Sequence, residues 1–191
     1  MELFSWRRVR WGLLLLLLMA GLVLMAFFVA RAAFPFPYRD IVYSSAADHD
    51  LSPYLVAALI REESRFRAGA ISGKGARGLM QLMPSTAEWV ADQMGMDYEG
   101  MDIHDPENNV ALGTWYFSYL MDRFQSVPPA VAAYNGGMAR VSTWMDQGIW
   151  TGSLEDLHRI PTEETRVFVR RVVNSYSVYS WLYGGITRER E

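Results

Sequence analysis

Two adjacent carboxylates close the apolar segment "LVAALIREESRF", residues 55–66: Glu62 and Glu63. At about 100° per residue, Leu55, Val56, Leu59, Ile60 and Phe66 form a stripe on a helical wheel, its centre roughly 60° past Leu55. Glu63 lies within about 20° of that centre and Glu62 roughly 80° away at the margin, while Arg61 and Arg65 point to the far side. A carboxyl group on a core-facing arc resists ionisation, because loss of solvent penalises its charged form and raises its pKa. Such a glutamic acid stays protonated near neutral pH and has the profile of a general acid. The same position also suits a glutamate that pairs with an interior arginine and only holds helices together. The segment alone leaves both readings open.

The elements around this pair are predicted to be helices. Ser52 followed by Pro53 signals an N-cap and first turn, starting a helix to about Phe66. "RAGAISGKGARG" has four glycines in twelve residues and reads as a loop. "PSTAEWVADQMG" opens on Pro84 and closes on Gly95, a compact helix with both end signals. Asp105 and Pro106 start another, "DPENNVALGTWYFSYLMDRF". A further helix covers Pro129 to Tyr134, the Gly136-Gly137 pair breaks it, and "MARVSTWMDQG" restarts. The last runs from about Thr162 to Leu182, with Val169, Val172, Val173 and Tyr176 at helical spacing. No alternating strand pattern and no internal repeat is present, so the fold class is all-α.

The N-terminus is different in kind. Arg7, Arg8 and Arg10 precede an uncharged stretch, Trp11 to Ala30, long enough to span roughly 30 Å of hydrocarbon at about 1.5 Å per residue. The core of a cleaved signal is shorter, about 7 to 15 residues, which favours an uncleaved anchor; the rival is cleavage near "ARA", Ala30 to Ala32. The arginine bias places residues 1–10 in the cytoplasm and the folded part beyond the membrane, on the extracytoplasmic side. The expected layout is a tail at 1–10, a membrane helix at 11–30, a stiff proline-bearing linker at 31–39, a domain at 40–183 and a tail at 184–191.

Composition narrows the partners. The chain has no cysteine, which excludes disulfides, thiolate metal sites and a lipidated N-terminal cysteine. The part after Arg31 is net acidic and has no basic run, so nucleic acid is not an expected partner. "GAISGKG" departs from a phosphate-binding loop: three residues separate the first glycine from Gly-Lys, Gly75 follows the lysine, and a helix precedes it. The open choice is between an ordinary connector and a loop whose backbone lies close against a ligand. His49, His104 and His158 lack ligand spacing, so no metal site is expected. The seven Trp and ten Tyr serve most economically as core, yet also suit a groove that stacks on the C–H faces of sugars.

Four separated motifs fall in a meaningful order: "EES" at 62–64, "GARGLMQLMPSTA" at 75–87, "AAYNGG" at 132–137 and "IPTEETRVFVRRV" at 160–172. Their order and spacing resemble a bacterial lytic transglycosylase domain of the soluble-lytic-murein type, whose relatives include goose-type lysozymes; the resemblance covers residues 40–183. It implies a lysozyme-like helical domain that acts on peptidoglycan glycan strands, cleaving the β-1,4 bond between N-acetylmuramic acid and N-acetylglucosamine without a cofactor. It also implies that Glu63 is the catalytic acid and that Ser64, Ser72, Met80, Gln81, Tyr134 and Asn135 contact substrate, Met80 as a sugar-facing apolar surface. Phe168 stands where the family commonly has a tyrosine.

Ordinary glycosidases use two carboxyl groups. Here Glu62 lies too far round the helix to share the pocket, and Glu164 reads as a structural partner for an arginine. The resemblance supplies the missing group: the muramic acid's own C6 hydroxyl attacks C1, leaving a 1,6-anhydro ring. Two other classes stay open, a goose-type hydrolase that activates water and a catalytically weak peptidoglycan-binding domain.

Overall fold

The computed structural model describes residues 3–185. The first two residues of the predicted tail at 1–10, and residues 186–191 of the one at 184–191, lie outside them. The chain divides into two units, residues 1–35 and 36–191.

The first unit is one helix, α1 (Leu3–Ala33). It already includes most of the predicted tail and continues three residues past the predicted end of the span. Within it, the 28-residue span Trp6–Ala33 contains an 18-residue window of mean hydropathy 3.0, none of it buried, and is long and apolar enough to cross a membrane. A signal sequence meets the same criterion.

The second unit is helical throughout: α2 (Arg39–Ala47), α3 (Pro53–Ser64), α4 (Pro84–Met94), α5 (Pro106–Phe124), α6 (Val127–Gly136), α7 (Met138–Asp146) and α8 (Glu163–Tyr183). Among the described residues no strand forms; only isolated bridges, Ile71 with Arg77 and Arg77 with Leu82, tie the loop after α3 to itself. The proline starts are where the sequence predicts them. Pro53, Pro84 and Pro106 each sit in a first turn, where a missing N–H costs nothing. The Asp105 carboxylate caps α5 by accepting from the Glu107 and Asn108 N–H groups. Gly95 closes α4 in the left-handed conformation, φ 68°.

One expectation needs correction. The linker predicted at 31–39 is not a free spacer, because Phe36 is buried, its ring centroid 5.5 Å from those of both Tyr179 and Tyr183. Immediately after it runs α2, a helix without a capping side chain whose N-terminal neighbour, Tyr38, is itself left-handed at φ 55°.

The core is organised around α3. Val56, Ala57, Ala58, Leu59 and Ile60 are five successive residues with no exposure, so this helix is enclosed on several sides and not on one stripe. α8 packs along it, with α2 on another side, while α6 lies between α5 and α8. The far end of α3, where Glu62 and Glu63 sit, reaches the surface of this core beside α8 and the glycine loop.

Candidate active site

α3 stops abruptly. Arg65 and Phe66 both take positive φ, 53° and 60°, turning the chain away after Ser64 and leaving Glu63 in the last turn. The Ser64 hydroxyl is buried and donates to the Leu79 carbonyl at 2.6 Å, pinning the segment "GLMQ" to the end of α3.

That segment is held from the other side by Asn109, a fully buried residue of α5. Its side-chain oxygen accepts the Met80 N–H at 2.7 Å, and its amide nitrogen donates to the Arg77 and Ile103 carbonyls at 3.1 and 3.0 Å. Gly78 makes this approach possible: its φ is 81°, and a Cβ there would strike the Asn109 amide. Gln81, also at positive φ, donates from its amide to Ala70 and Gly78 carbonyls at 3.1 and 2.9 Å, closing the glycine loop on itself. Ser72 makes the opposite turn, its hydroxyl accepting the Ala76 N–H at 3.0 Å.

Glu63 lines two depressions. One, of about 480 Å³, is bounded by Arg67, Ile71, Ser72 and Gln81; the other, of about 380 Å³, by Glu62, Asn135, Glu164, Phe168 and Arg171. Glu63 is the one lining residue the two depressions share, and together they form the candidate groove. Burial, and then the negative charges of Glu164 and Glu62, push its pKa up to about 8. The group is a carboxylic acid at neutral pH and can donate a proton.

Tyr134, on α6, donates its hydroxyl to the Met80 carbonyl at 2.8 Å. Burial first, then the charge of Glu63 and the neighbouring Tyr116, hold that phenol well above its ordinary pKa, so it stays a neutral donor. Its neighbour Asn135 faces the second depression, with its side-chain oxygen accepting the Thr165 hydroxyl of α8 at 2.9 Å.

The predicted site residues thus separate. Glu63, Ser72, Gln81 and Asn135 line the groove, and Tyr134 braces its floor. Ser64 and Met80 do not reach it. Ser64 spends its hydroxyl inside, and Met80 is fully buried, its sulfur in the notch left by Gly113, where a Cβ would collide with it. Both position the loop and contact no groove surface.

Three further expectations change. Glu62 does share the second depression with Glu63, because α3 is enclosed and has no free margin; its carboxylate accepts the Ser175 hydroxyl at 2.7 Å. Arg61, placed on the far side by the wheel, has a side chain only 25% exposed and lies 3.8 Å from Glu62. Glu164 pairs with a lysine, not an arginine: Lys74 of the glycine loop is 3.1 Å away, linking that loop to the first turn of α8.

Asn109, Ile71 and Arg171 are absent from the sequence reading. Asn109 alone carried a signal, a polar residue beside Val110 and Leu112 on the buried side of α5.

Comparison with known proteins identifies the family. The model of the "Transglycosylase SLT domain" family matches residues 41–154, ending before α8. The soluble lytic murein transglycosylase of Salmonella typhimurium is 35% identical over 152 residues, 76% of this chain and 23% of that protein. Among solved structures, the 70 kDa soluble lytic transglycosylase of Escherichia coli superposes with a TM-score of 0.74 at 29% identity, covering 81% of this chain and 26% of that one. An inactive glutamate-to-glutamine mutant of the Pseudomonas aeruginosa lytic transglycosylase gives 0.72 at 31% identity, covering 79% and 25%. This chain spans about a quarter of the length of these relatives. A family model that matches over half the chain, with the same lysozyme-like helical fold, shows that the chain belongs to the transglycosylase SLT domain family.

Proposed function

We propose that this protein is a lytic transglycosylase that cleaves the β-1,4 bond between N-acetylmuramic acid and N-acetylglucosamine in peptidoglycan, with Glu63 as its single acid and base. The observation that carries this reading is a carboxyl group with a pKa near 8 at the junction of the two depressions. Protonated Glu63 gives its proton to the glycosidic oxygen as the C1–O bond breaks. The C6 hydroxyl oxygen of the same muramic acid closes on C1, and its proton passes to the Glu63 carboxylate. The acid is restored, and a 1,6-anhydro end and a free 4-hydroxyl are left. Tethering gives that hydroxyl a high effective molarity.

The two carboxylates whose charge reaches Glu63 are both engaged, Glu62 by the Ser175 hydroxyl and Glu164 by Lys74. Neither is poised to activate a water, which favours the internal nucleophile over hydrolysis. Ser72, Gln81 and Asn135 line the groove and are assigned to substrate contact; Tyr134 keeps the Met80 carbonyl and the floor in place.

Digestion of purified cell wall in water enriched in heavy oxygen tests the reaction. An anhydro end takes up no label; label at the new reducing end would replace this reading by a lysozyme-type hydrolase, and the absence of turnover by a binding domain.

We also assign the catalytic unit to the outer side of the inner membrane, held by α1 as an uncleaved anchor, on the length of the apolar span and the arginines before it. Protease added to spheroplasts should remove the catalytic unit; its protection would reverse the topology.

A further inference from the structure

Tyr134 is joined to a distant surface through one ring. The Tyr116 centroid is 5.5 Å from that of Tyr134 and 6.2 Å from that of Trp89, so the aromatic series leads from the groove floor to the outer face of α4. There Ser85, Glu88, Trp89 and Asp92 follow at helical spacing and line a third depression of about 450 Å³, completed by Tyr98 from the segment after the helix.

Trp89 is not needed for the core of its own helix, which buries Ala87, Val90 and Ala91 instead. The residue is 39% exposed. Edge-on contacts with Trp115 and Tyr119, centroids at 5.6 and 5.4 Å, fix its orientation, so the exposed part is a rigid apolar surface. The groups beside it are acceptors. Glu88 and Asp92 form no ion pair among the described residues; Asp92 accepts only from the Gln93 amide at 3.2 Å.

We propose that this face of α4 is a second glycan-binding subsite, which holds acetylated amino sugars of the same strand at a distance from the bond that Glu63 cleaves. The proposal rests on the reading of the chain as a glycan-cleaving enzyme. A rigid aromatic surface receives the C–H face of a sugar ring, and flanking carboxylates accept its hydroxyl and acetamide N–H groups. The two carboxylates repel polyanions. They also argue against a protein partner, since the centres of protein interfaces are depleted in Glu and Asp. Through Tyr116 the Trp89 ring is packed, by way of the interior, against Tyr134, so this face and the groove share one aromatic scaffold.

Binding is measured on the full chain in detergent, with Glu63→Gln as the non-cleaving parent and oligomers of N-acetylglucosamine as probes. Trp89→Ala should weaken the hexasaccharide about tenfold, equivalent to about 1.4 kcal/mol, and leave the disaccharide unchanged. On the cleaving enzyme the same substitution should raise KM for long strands with kcat preserved. Because Trp89 also packs on other rings, a double variant of two exposed side chains, Glu88→Ala with Asp92→Ala, provides the decision if Trp89→Ala melts early. It should weaken the hexasaccharide severalfold.

Equal losses for short and long oligomers would mean an effect through the groove and would overturn the subsite. So would a loss confined to strands bearing stem peptides, or a double variant with unchanged hexasaccharide affinity. If the parent binds no oligomer and the unsubstituted protein does not turn over cell wall, the glycan-cleaving reading itself fails. If it cleaves and the α4 variants change nothing, only the subsite fails.

Discussion

The Tyr134 hydroxyl donates to the carbonyl of Met80 at 2.8 Å, while the N–H of the same Met80 is held at 2.7 Å by Asn109. One buried residue thus joins α5 and α6 beneath the groove through its backbone, while its sulfur packs into α5. Asn109→Ala removes the partner of the Met80 N–H and of the Ile103 carbonyl at an interior position, while the Arg77 carbonyl keeps the Leu82 N–H. It should lower stability by about 2 to 4 kcal/mol in denaturant unfolding. Tyr134→Phe removes only one donor and should cost about 1 kcal/mol. Its kcat should fall by more than that loss of stability explains, because the groove floor next to Glu63 then lacks its brace. Parallel unfolding and turnover measurements separate the two effects.

Glu63→Gln should abolish turnover and also stabilise the fold near neutral pH. The sign follows from the raised pKa. Native Glu63 stays protonated up to about pH 8, whereas in the unfolded chain it ionises near its ordinary 4.5. Its contribution to stability is therefore fully present below pH 4.5 and is lost as pH rises from there to about 8. Glutamine carries no such loss. The variant should gain about 1 to 3 kcal/mol over the unsubstituted protein at pH 7 and little at pH 4. Equal unfolding midpoints at both pH values would show that the site does not oppose ionisation of Glu63.

The helices were legible because their starts carry local chemistry: Pro53, Pro84 and Pro106 mark first turns that the fold keeps. Glu63 was legible twice, from the wheel and from the motif. What failed were inferences about direction. Gly78 and Gln81 both take positive φ, so the chain turns sharply within four residues, and no periodicity tells which of Leu79, Met80 and Gln81 faces outward. Met80 was assigned to the groove and is core. The wheel placed Glu62 outside the pocket because it assumes one covered side, and α3 is enclosed on several. Phe36 looked like part of a spacer because its two flanking prolines, Pro35 and Pro37, argue for extended chain, while its burial depends on Tyr179 and Tyr183, more than 140 residues away in sequence.

Phe168 stands where the resemblance to the family implies a tyrosine, and its position decides what a hydroxyl there would meet. The side chain is buried but borders the depression that contains Glu62, Glu63 and Asn135. A para hydroxyl should find polar neighbours or solvent in that space and escape the roughly 1 to 3 kcal/mol penalty of an unpartnered buried group. Phe168→Tyr should keep its melting temperature and raise turnover modestly. A lower melting temperature with unchanged turnover would mean that the hydroxyl is driven into the core and that the neighbourhood is built for Phe.

The pH profile tests the acid most directly. If protonated Glu63 delivers the proton, kcat/KM should be level below about pH 8 as far as this group is concerned, and fall tenfold per unit above it. Glu164 is the larger of the two charges that raise this pKa, so Glu164→Gln should move the alkaline limb to lower pH. The displacement should be small, because Glu164 is exposed, paired with Lys74 and screened by water. Added salt should therefore reduce the difference between the variant and the unsubstituted enzyme. A Glu164→Gln limb displaced to higher pH would mean that its charge does not act on Glu63 as a like charge. A limb that stays in place when burial around Glu63 is relieved would assign the titration to another group.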